Sequence, residues 1–443
     1  MNTRECLDCD LVVIGGGMAG MTAAARAAGK GAKVVVVEKA ADIGGSAALS
    51  GGYVWTATSL AQMNLHDDGD PRLHAVIIEE YPEVLGWMRA RGISMRPPQK
   101  VLYGRGCQID MQDHLRKAVS EVEAAGGIVV RGTDTREIIC EDGRVSGVVT
   151  AHPDGETELR AANVLIATGG FQGDAELRAR HIHPAARVMG LRSNLTSSGA
   201  GLSLGIAAGG AWAGPNTGYY GHLVATPVPF RTDSDFVKYT QAHSSHGVLL
   251  NRVGKRFVDE SDDDHASSQL TLRQPGASAL LVWDQRVQDD HAVVPPVAGA
   301  EPLDRFQIAI DAGARGGKAA TLEEIAGIAD RLGFDGAACV AGLSAFNRQM
   351  SIEPERAVPP REAHDRPLDR APYYVLEVVS AITFTFGGLL ADAKARVLDP
   401  FGESIGGLYV AGADVGNVFR RGYSGGLALA STFAFRAMRT AGF

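Results

Sequence analysis

Asp10-Leu11-Val12-Val13-Ile14-Gly15-Gly16-Gly17-Met18-Ala19-Gly20 runs an apolar strand straight into a Gly-x-Gly-x-x-Gly turn. An alanine-rich helical stretch over 21–28 follows, then a second aliphatic run, 33–37, that ends at Glu38. The glycines permit a tight turn and close approach of backbone to a pyrophosphate. The helix N-terminus offers that anion N–H groups and the positive end of its dipole. Glu38 stands eighteen residues past Gly20, near the spacing of a carboxylate that accepts from a ribose 2′-hydroxyl. Gly15, Gly17, Met18, Ala19, Gly20, Glu38 and Lys39 are therefore expected to hold a dinucleotide. The motif alone does not say which one.

A chain of 443 residues exceeds what one hydrophobic core usually supports, so two domains are expected. With 45% hydrophobic and 21% charged residues it reads as a soluble globular protein. A net charge of -8 and the lack of any Lys/Arg run argue against nucleic-acid binding. Residues 1–6 hold Arg4 and Glu5 rather than a secretory apolar core, and no stretch reaches transmembrane length, so a cytoplasmic location is expected. Of five cysteines, Cys6 and Cys9 form a Cys-x-x-Cys, but no second pair stands at zinc spacing; ordinary reduced thiols are expected. His243-Ser244-Ser245-His246 lacks an accompanying carboxylate or cysteine framework, and no metal is assigned.

Further along, the small-residue stretch 44–52, with Gly45, Ser46, Gly51 and Gly52, lets backbone lie against something flat or crowded. A helical region is expected over 71–91. Two apolar runs, 128–130 and 145–150, flank Glu141-Asp142-Gly143-Arg144 and predict a hairpin with Asp-Gly at its turn. A strand over 163–167 ends in Thr168-Gly169-Gly170. From 213 to 370 prolines, aromatics and histidines interrupt the pattern, and one helix, 321–333, stands out with a Thr321…Glu324 capping box. The expected plan is α/β: a discontinuous domain on a parallel sheet, 1–212 and 371–443, interrupted by an inserted α+β domain, 213–370. Gly199-Ala200-Gly201-Leu202-Ser203-Leu204-Gly205 has no aliphatic strand leading into it, so no second dinucleotide site and no NAD(P)H domain are expected.

Together these pieces resemble the FAD-dependent fumarate reductase and succinate dehydrogenase flavoprotein superfamily, which also holds the 3-ketosteroid dehydrogenases and tricarballylate dehydrogenase. The resemblance rests on Val13-Ile14-Gly15-Gly16-Gly17 with Glu38, on 44–52, 164–170 and 407–426, and on Gly254-Lys255-Arg256-Phe257-Val258-Asp259-Glu260. It implies a Rossmann-like FAD-binding domain and a capping domain, the 213–370 insert, that closes over the isoalloxazine. It also implies that Ala167, Thr168, Gly169 and Gly170 run beside the cofactor. Asp414, after Gly412, falls where the family has a glutamate at the ribityl chain, and a water-bridged contact is expected of the shorter acid. Gly425, Gly426 and Leu427 would aim helix N–H groups at the flavin O2 edge, where reduced flavin gathers negative charge. Covalent members carry a histidine in the stretch matching 44–52; here Gly45 and Ser46 stand there, so FAD is expected to be non-covalent and dissociable.

The fumarate-type arginine is not found after 254–260, where Ser261-Asp262-Asp263-Asp264-His265 stands instead. A family histidine before Gly387-Gly388 is also missing, and Tyr423-Ser424 replaces the late arginine. Tyr423-Ser424-Gly425-Gly426 looks more like the ketosteroid and tricarballylate dehydrogenase branches. The resemblance then implies hydride transfer between a substrate carbon and flavin N5, with proton exchange at the neighbouring carbon, beside a carbonyl or carboxyl. Candidate catalytic residues are Tyr423 as proton donor, Arg421 as carboxylate clamp, His222 just past the domain junction, and His265, whose neighbouring acids favour a protonated ring. Dehydrogenation is preferred to reduction. An ene reductase with altered anchors, a non-catalytic FAD-binding protein and an NAD-dependent dehydrogenase remain as alternatives. The expected partners are a small molecule with an activated C–C bond and an electron acceptor or donor that the sequence does not name.

Overall fold

A computed structural model of the chain describes residues 5–214, 217–232, 234–262, 264–295 and 300–443; residues 1–4 and Asp263, which entered the reading above, lie outside the described residues. The chain divides into two compact units. The first comprises Met1–Leu177, Ser193–Tyr219 and Phe384–Phe443; the second comprises Arg178–Arg192 and Tyr220–Thr383.

A ten-stranded sheet organises the first unit. Its parallel centre runs Ser404–Val410, Val164–Ile166, Leu11–Ile14, Val34–Val37, Ile128–Val130. The three inner strands are buried at every residue. A parallel sheet covered on both faces demands that, which is why they read as unbroken Val/Ile/Leu runs. Helix Met18–Ala28 follows the first of them, and its small residues let it lie close against the last helix, Gly426–Ala441. The expected helix over 71–91 is Pro71–Ala90, capped by Asp70.

The predicted hairpin turn is present at Asp142-Gly143, where both residues have positive φ (49° and 74°), but its first strand is Asp134–Glu141. Ile128–Val130 instead extends the parallel sheet beside Val34–Val37. A run of three aliphatics does not by itself separate a hairpin arm from a short strand of a parallel sheet; here Val129 is buried and Ile128 exposed. Ahead of the nucleotide strand, Glu5–Asp8 is itself a strand, parallel to Gly155–Arg160 at the sheet edge. Burial pushes the neighbouring Cys9 thiol up to about 11, against the pull of Lys33, which makes it a poor partner for dithiol chemistry.

The second unit centres on the long strand Tyr373–Thr385, antiparallel to Ser278–Asp284, which pairs in turn with Val248–Leu250. Gly316–Ala319 and Gly190–Leu191 also pair with the long strand. Thr321 caps the helix Leu322–Arg331, while Glu324 reaches back to the Ala320 N–H at 2.8 Å. The expected boundaries at 213 and 371 move to Tyr220 and Phe384. Composition changes at 371, but Tyr373–Thr385 is the backbone of the second unit's sheet. Residues 193–219 pack with the first unit, where Trp212–Ala213 pairs with Gly388–Leu389. No described helix is long and apolar enough to cross a membrane.

Candidate functional site

The glycine turn of the first unit is shaped as a cradle. A Cβ on Gly15 would stand 2.3 Å from the Ala167 carbonyl oxygen, and one on Gly20 would stand 1.9 Å from that of Gly15. Gly17 differs, since a Cβ there would meet nothing nearer than the Gly44 oxygen at 3.9 Å. Gly17 opens the helix Met18–Ala28, whose first turn receives no side-chain cap. The N–H groups of Met18, Ala19 and Gly20 thus stand where a pyrophosphate would use them. Glu38 accepts from the Gly16 N–H and the Ala40 N–H, both at 2.7 Å, one on each carboxylate oxygen. Its second lone pairs stay available to a ribose hydroxyl. Lys39 extends outward, its ammonium 3.4 Å from Ser198 Oγ.

The stretch 44–52 leans on this turn. Gly44 N–H donates to the Gly16 carbonyl at 2.8 Å, seating the one-turn helix Gly45–Ala48 beside the glycines. Ser46 Oγ bonds Ser193 and accepts from Asn194 at 2.7 Å. Gly51 and Gly52 lead into the strand Tyr53–Thr56. Across the sheet, Ala167 N–H donates to Ile14 O at 2.9 Å, and Thr168-Gly169-Gly170 then wraps around Asp414. Thr168 Oγ1 donates to Asp414 Oδ1 at 3.0 Å, Gly169 N–H to Oδ2 at 2.9 Å and Gly170 N–H to Oδ1 at 3.1 Å.

Asp414, carried by the turn Gly412–Asp414, therefore latches the 168–170 turn. Burial pushes its carboxyl up from the ordinary range, and the Gly169, Thr168 and Gly170 donors pull it back. Asp414→Asn keeps the shape but turns an amide NH2 toward N–H donors. One unpaired buried donor costs about 1–3 kcal/mol. FAD retention by the reconstituted protein should weaken roughly tenfold or more, as measured by equilibrium dialysis.

Tyr423 is buried, and its Oη accepts the Gly426 N–H at 2.9 Å, so the phenol sits over the first turn of Gly426–Ala441. Trp55, Phe384 and Phe419 surround it at ring distances of 5.5, 5.8 and 6.1 Å. Gly425 lies so close to the Trp55 carbonyl that a Cβ would stand 1.9 Å from it; Leu427 follows Gly426 in the opening turn. The Arg421 side chain is 65% exposed and stands 3.8 Å from Asp68.

Sequence reasoning missed Asp67, which holds this segment. Its Oδ1 accepts the N–H groups of Arg420, Arg421 and Gly422 at 2.9, 2.8 and 2.6 Å. Its Oδ2 faces Gly69 N–H at 2.9 Å and His74 Nε2 at 3.1 Å. His74 Nε2 also lies 2.8 Å from the Val418 carbonyl, which only accepts, so that nitrogen carries a hydrogen. No local signal marks Asp67, because Asp67-Asp68-Gly69-Asp70 reads as a solvated turn before a capped helix.

In the second unit, Tyr220 and His222 lie two apart on Tyr219–Ala225 and share a face. His222 Nε2 meets Tyr220 Oη at 2.9 Å, and its Nδ1 makes a short contact with Asp264 Oδ2. His265 is buried on the helix Asp264–Leu272, its ring 6.1 Å from that of Tyr220.

Known proteins show the company this geometry keeps. The FAD binding domain family matches residues 10–78 and 104–428. A fumarate reductase (cytochrome) of Shewanella frigidimarina is 27% identical, over 96% of this chain and 75% of the relative. A 4-oxocyclohexanecarboxylate 2-dehydrogenase of Sinomonas cyclohexanicum is 26% identical, over 94% of this chain and 89% of the relative. Among solved structures, a 3-ketosteroid-delta4-(5alpha)-dehydrogenase from Rhodococcus jostii, in complex with 4-androstene-3,17-dione, shares the fold with a TM-score of 0.78 at 20% identity, covering 100% of this chain and 98% of that one.

Proposed function

The chain belongs to the FAD binding domain family, and from that premise we propose that this FAD-dependent oxidoreductase desaturates a carbon–carbon bond next to a ketone. When bound, FAD supplies the hydride-transfer chemistry. The residues Gly15, Gly17, Glu38, Ser46, Thr168, Gly169, Gly426 and their neighbours would hold it. The turn opened by Gly17 would take the pyrophosphate and Glu38 the ribose.

The observation that carries the reading is the setting of Tyr423. Its oxygen accepts from Gly426 N–H, a bond that uses a lone pair of the phenol and not its own hydrogen. An enolising ketone needs a neutral donor at its oxygen, in a place where water is excluded. The aromatic shell of Trp55, Phe384 and Phe419 supplies that exclusion. Arg421, paired outward with Asp68, argues against a clamped dicarboxylate at this point. The ketone named for the Sinomonas cyclohexanicum relative fits the same chemistry. A second reading, net reduction of an activated alkene, draws support from the relatives named as fumarate and urocanate reductases. We also propose that the second unit is the substrate-capping unit.

The purified protein is expected to be yellow and to release intact FAD on mild denaturation, since 44–52 holds neither histidine nor cysteine. Without air, at least one of cyclohexanone, 4-oxocyclohexanecarboxylate and 4-androstene-3,17-dione should bleach the bound flavin. A flavin that none of them reduces, yet that a panel of enoates reoxidises after dithionite, would transfer the assignment to the reductase reading.

A further inference from the structure

Three arginines of the second unit are buried among the described residues, Arg178, Arg305 and Arg361, and their surroundings differ. Arg361 donates to the Glu260 carboxylate at 2.9 Å and to the carbonyls of Gly247 and Ser245 at 3.1 and 2.9 Å. Arg178 donates to the carbonyls of Ala186 and Arg187 at 2.9 and 3.0 Å. Arg305, only 5% exposed, has one hydrogen bond among the described residues, from Nη1 to the Val294 carbonyl at 3.3 Å, and its Nε is bonded to nothing. Asp304, beside it on the chain, is occupied elsewhere. It accepts from Gln288 Nε2 at 3.2 Å and caps the helix Arg305–Asp311 through the Gln307 N–H at 3.0 Å.

A second orphan stands within reach of that charge. His243 is buried, and among the described residues neither its Nδ1 nor its Nε2 has a partner. Its ring lies 4.6 Å from that of Trp283, which in turn lies 5.6 Å from that of Phe306, the residue after Arg305. Burial first, then the charges of Arg305, His246 and His291, push the His243 ring down to about 3. The ring is therefore neutral, with one N–H to give.

We propose that Arg305 and His243 form a binding site for a small carboxylate inside the second unit. The inference is independent of which substrate the flavin oxidises. A guanidinium does not shed its proton, so a buried one needs a counter-charge. Burial lowers the Arg305 guanidinium from its ordinary value with no acid pulling it back, whereas Glu260 does so for Arg361. With Nη1 taken by Val294, the edge left for a ligand is Nε with Nη2, a planar fork that matches the two oxygens of a carboxylate. The His243 N–H adds a third donor. Water would bond the Nε but would leave the charge unbalanced, and phosphate brings more oxygens and charge than these two side chains answer. A bound carboxylate stabilises the second unit by mass action, so the stability of that unit would follow the concentration of a small organic acid.

The test uses the FAD-loaded protein at neutral pH, with sodium chloride exchanged for sodium formate at constant ionic strength. It reads the urea midpoint and the NMR line of isotope-labelled formate. The wild-type midpoint should rise with the logarithm of formate concentration once the site fills, and the formate line should broaden saturably and sharpen when acetate competes. Arg305→Met puts an apolar chain in place of the buried cation; its flavin absorbance should match wild type and its midpoint should no longer follow formate. His243→Phe keeps a ring against Trp283 without the N–H, so formate affinity should fall about tenfold or more. A wild-type midpoint and formate line that stay unmoved up to about 100 mM formate would overturn the proposal, and so would an Arg305→Met protein that still follows formate. A response to inorganic phosphate and not to formate would overturn the carboxylate assignment. Should Arg305→Met fail to fold, equal formate affinities of wild type and His243→Phe would overturn the site.

Discussion

Tyr423→Phe is expected to lower the rate of flavin bleaching by about 10²–10³-fold, the cost of removing one donor aimed at a developing oxyanion. FAD occupancy should stay near that of wild type. The ring is held by Trp55, Phe384 and Phe419, which meet a phenylalanine as well as a tyrosine. Only the oxygen goes, and with it the acceptor of the Gly426 N–H. That orphaned donor costs about 1–3 kcal/mol of stability, so a modest fall in Tm should accompany the large fall in rate. Rapid-kinetic bleaching and the absorbance ratio of flavin to protein separate the two effects. Parallel loss of flavin and rate would make Tyr423 a packing residue.

What the sequence revealed and what it hid follow from the range of the interactions involved. Leu11–Ile14, Val34–Val37 and Val164–Ile166 were legible because strands buried on both faces must be aliphatic throughout. The Gly15–Gly20 turn was legible because the bulk excluded there is local backbone, set by the turn itself. The helix Gly336–Ile352 was missed although Cys339, Leu343, Phe346 and Met350 form a buried stripe at helical spacing. Its glycine, serine and asparagine content hides the period, and only one of the four is a common aliphatic.

The site was legible where a motif is continuous and illegible where it is assembled by topology. Glu38, Asp414 and Tyr423 each stand in a run of neighbours that points to them. Yet the bonds of Asp414 to the 168–170 turn could not be foreseen, since nothing in Gly412-Ala413-Asp414 reports a turn 244–246 residues upstream that closes on its carboxylate. Tyr220 and His222 announce themselves as neighbours, while Asp264 joins them from 42 residues away and reads alone as part of a solvated acidic turn.

Asp67→Ala is expected to be the most damaging single change outside the glycine turn. It would strip the acceptor from three consecutive N–H groups, those of Arg420, Arg421 and Gly422, and leave His74 facing only the Val418 carbonyl and Asn64. Breaking one side of such a buried pair costs about 3–5 kcal/mol, so urea unfolding should show a large fall in midpoint with little change in slope. The segment released is the one that carries Tyr423, and the rate should fall even in molecules that stay folded. The pH dependence has a definite sign. Burial works to raise the Asp67 carboxyl, but hydrogen bonds from His74 and from the Arg420, Gly422 and Arg421 N–H groups win, and it lies below its ordinary value. A carboxyl depressed on folding stabilises above its unfolded value of about 3.9, and that contribution is lost as pH falls through the folded value. Wild type should therefore lose stability more steeply than Asp67→Ala as pH falls below about 4, and the gap between their urea midpoints should narrow. A gap that stayed constant across that range would mean that the Asp67 carboxylate contributes through shape rather than charge.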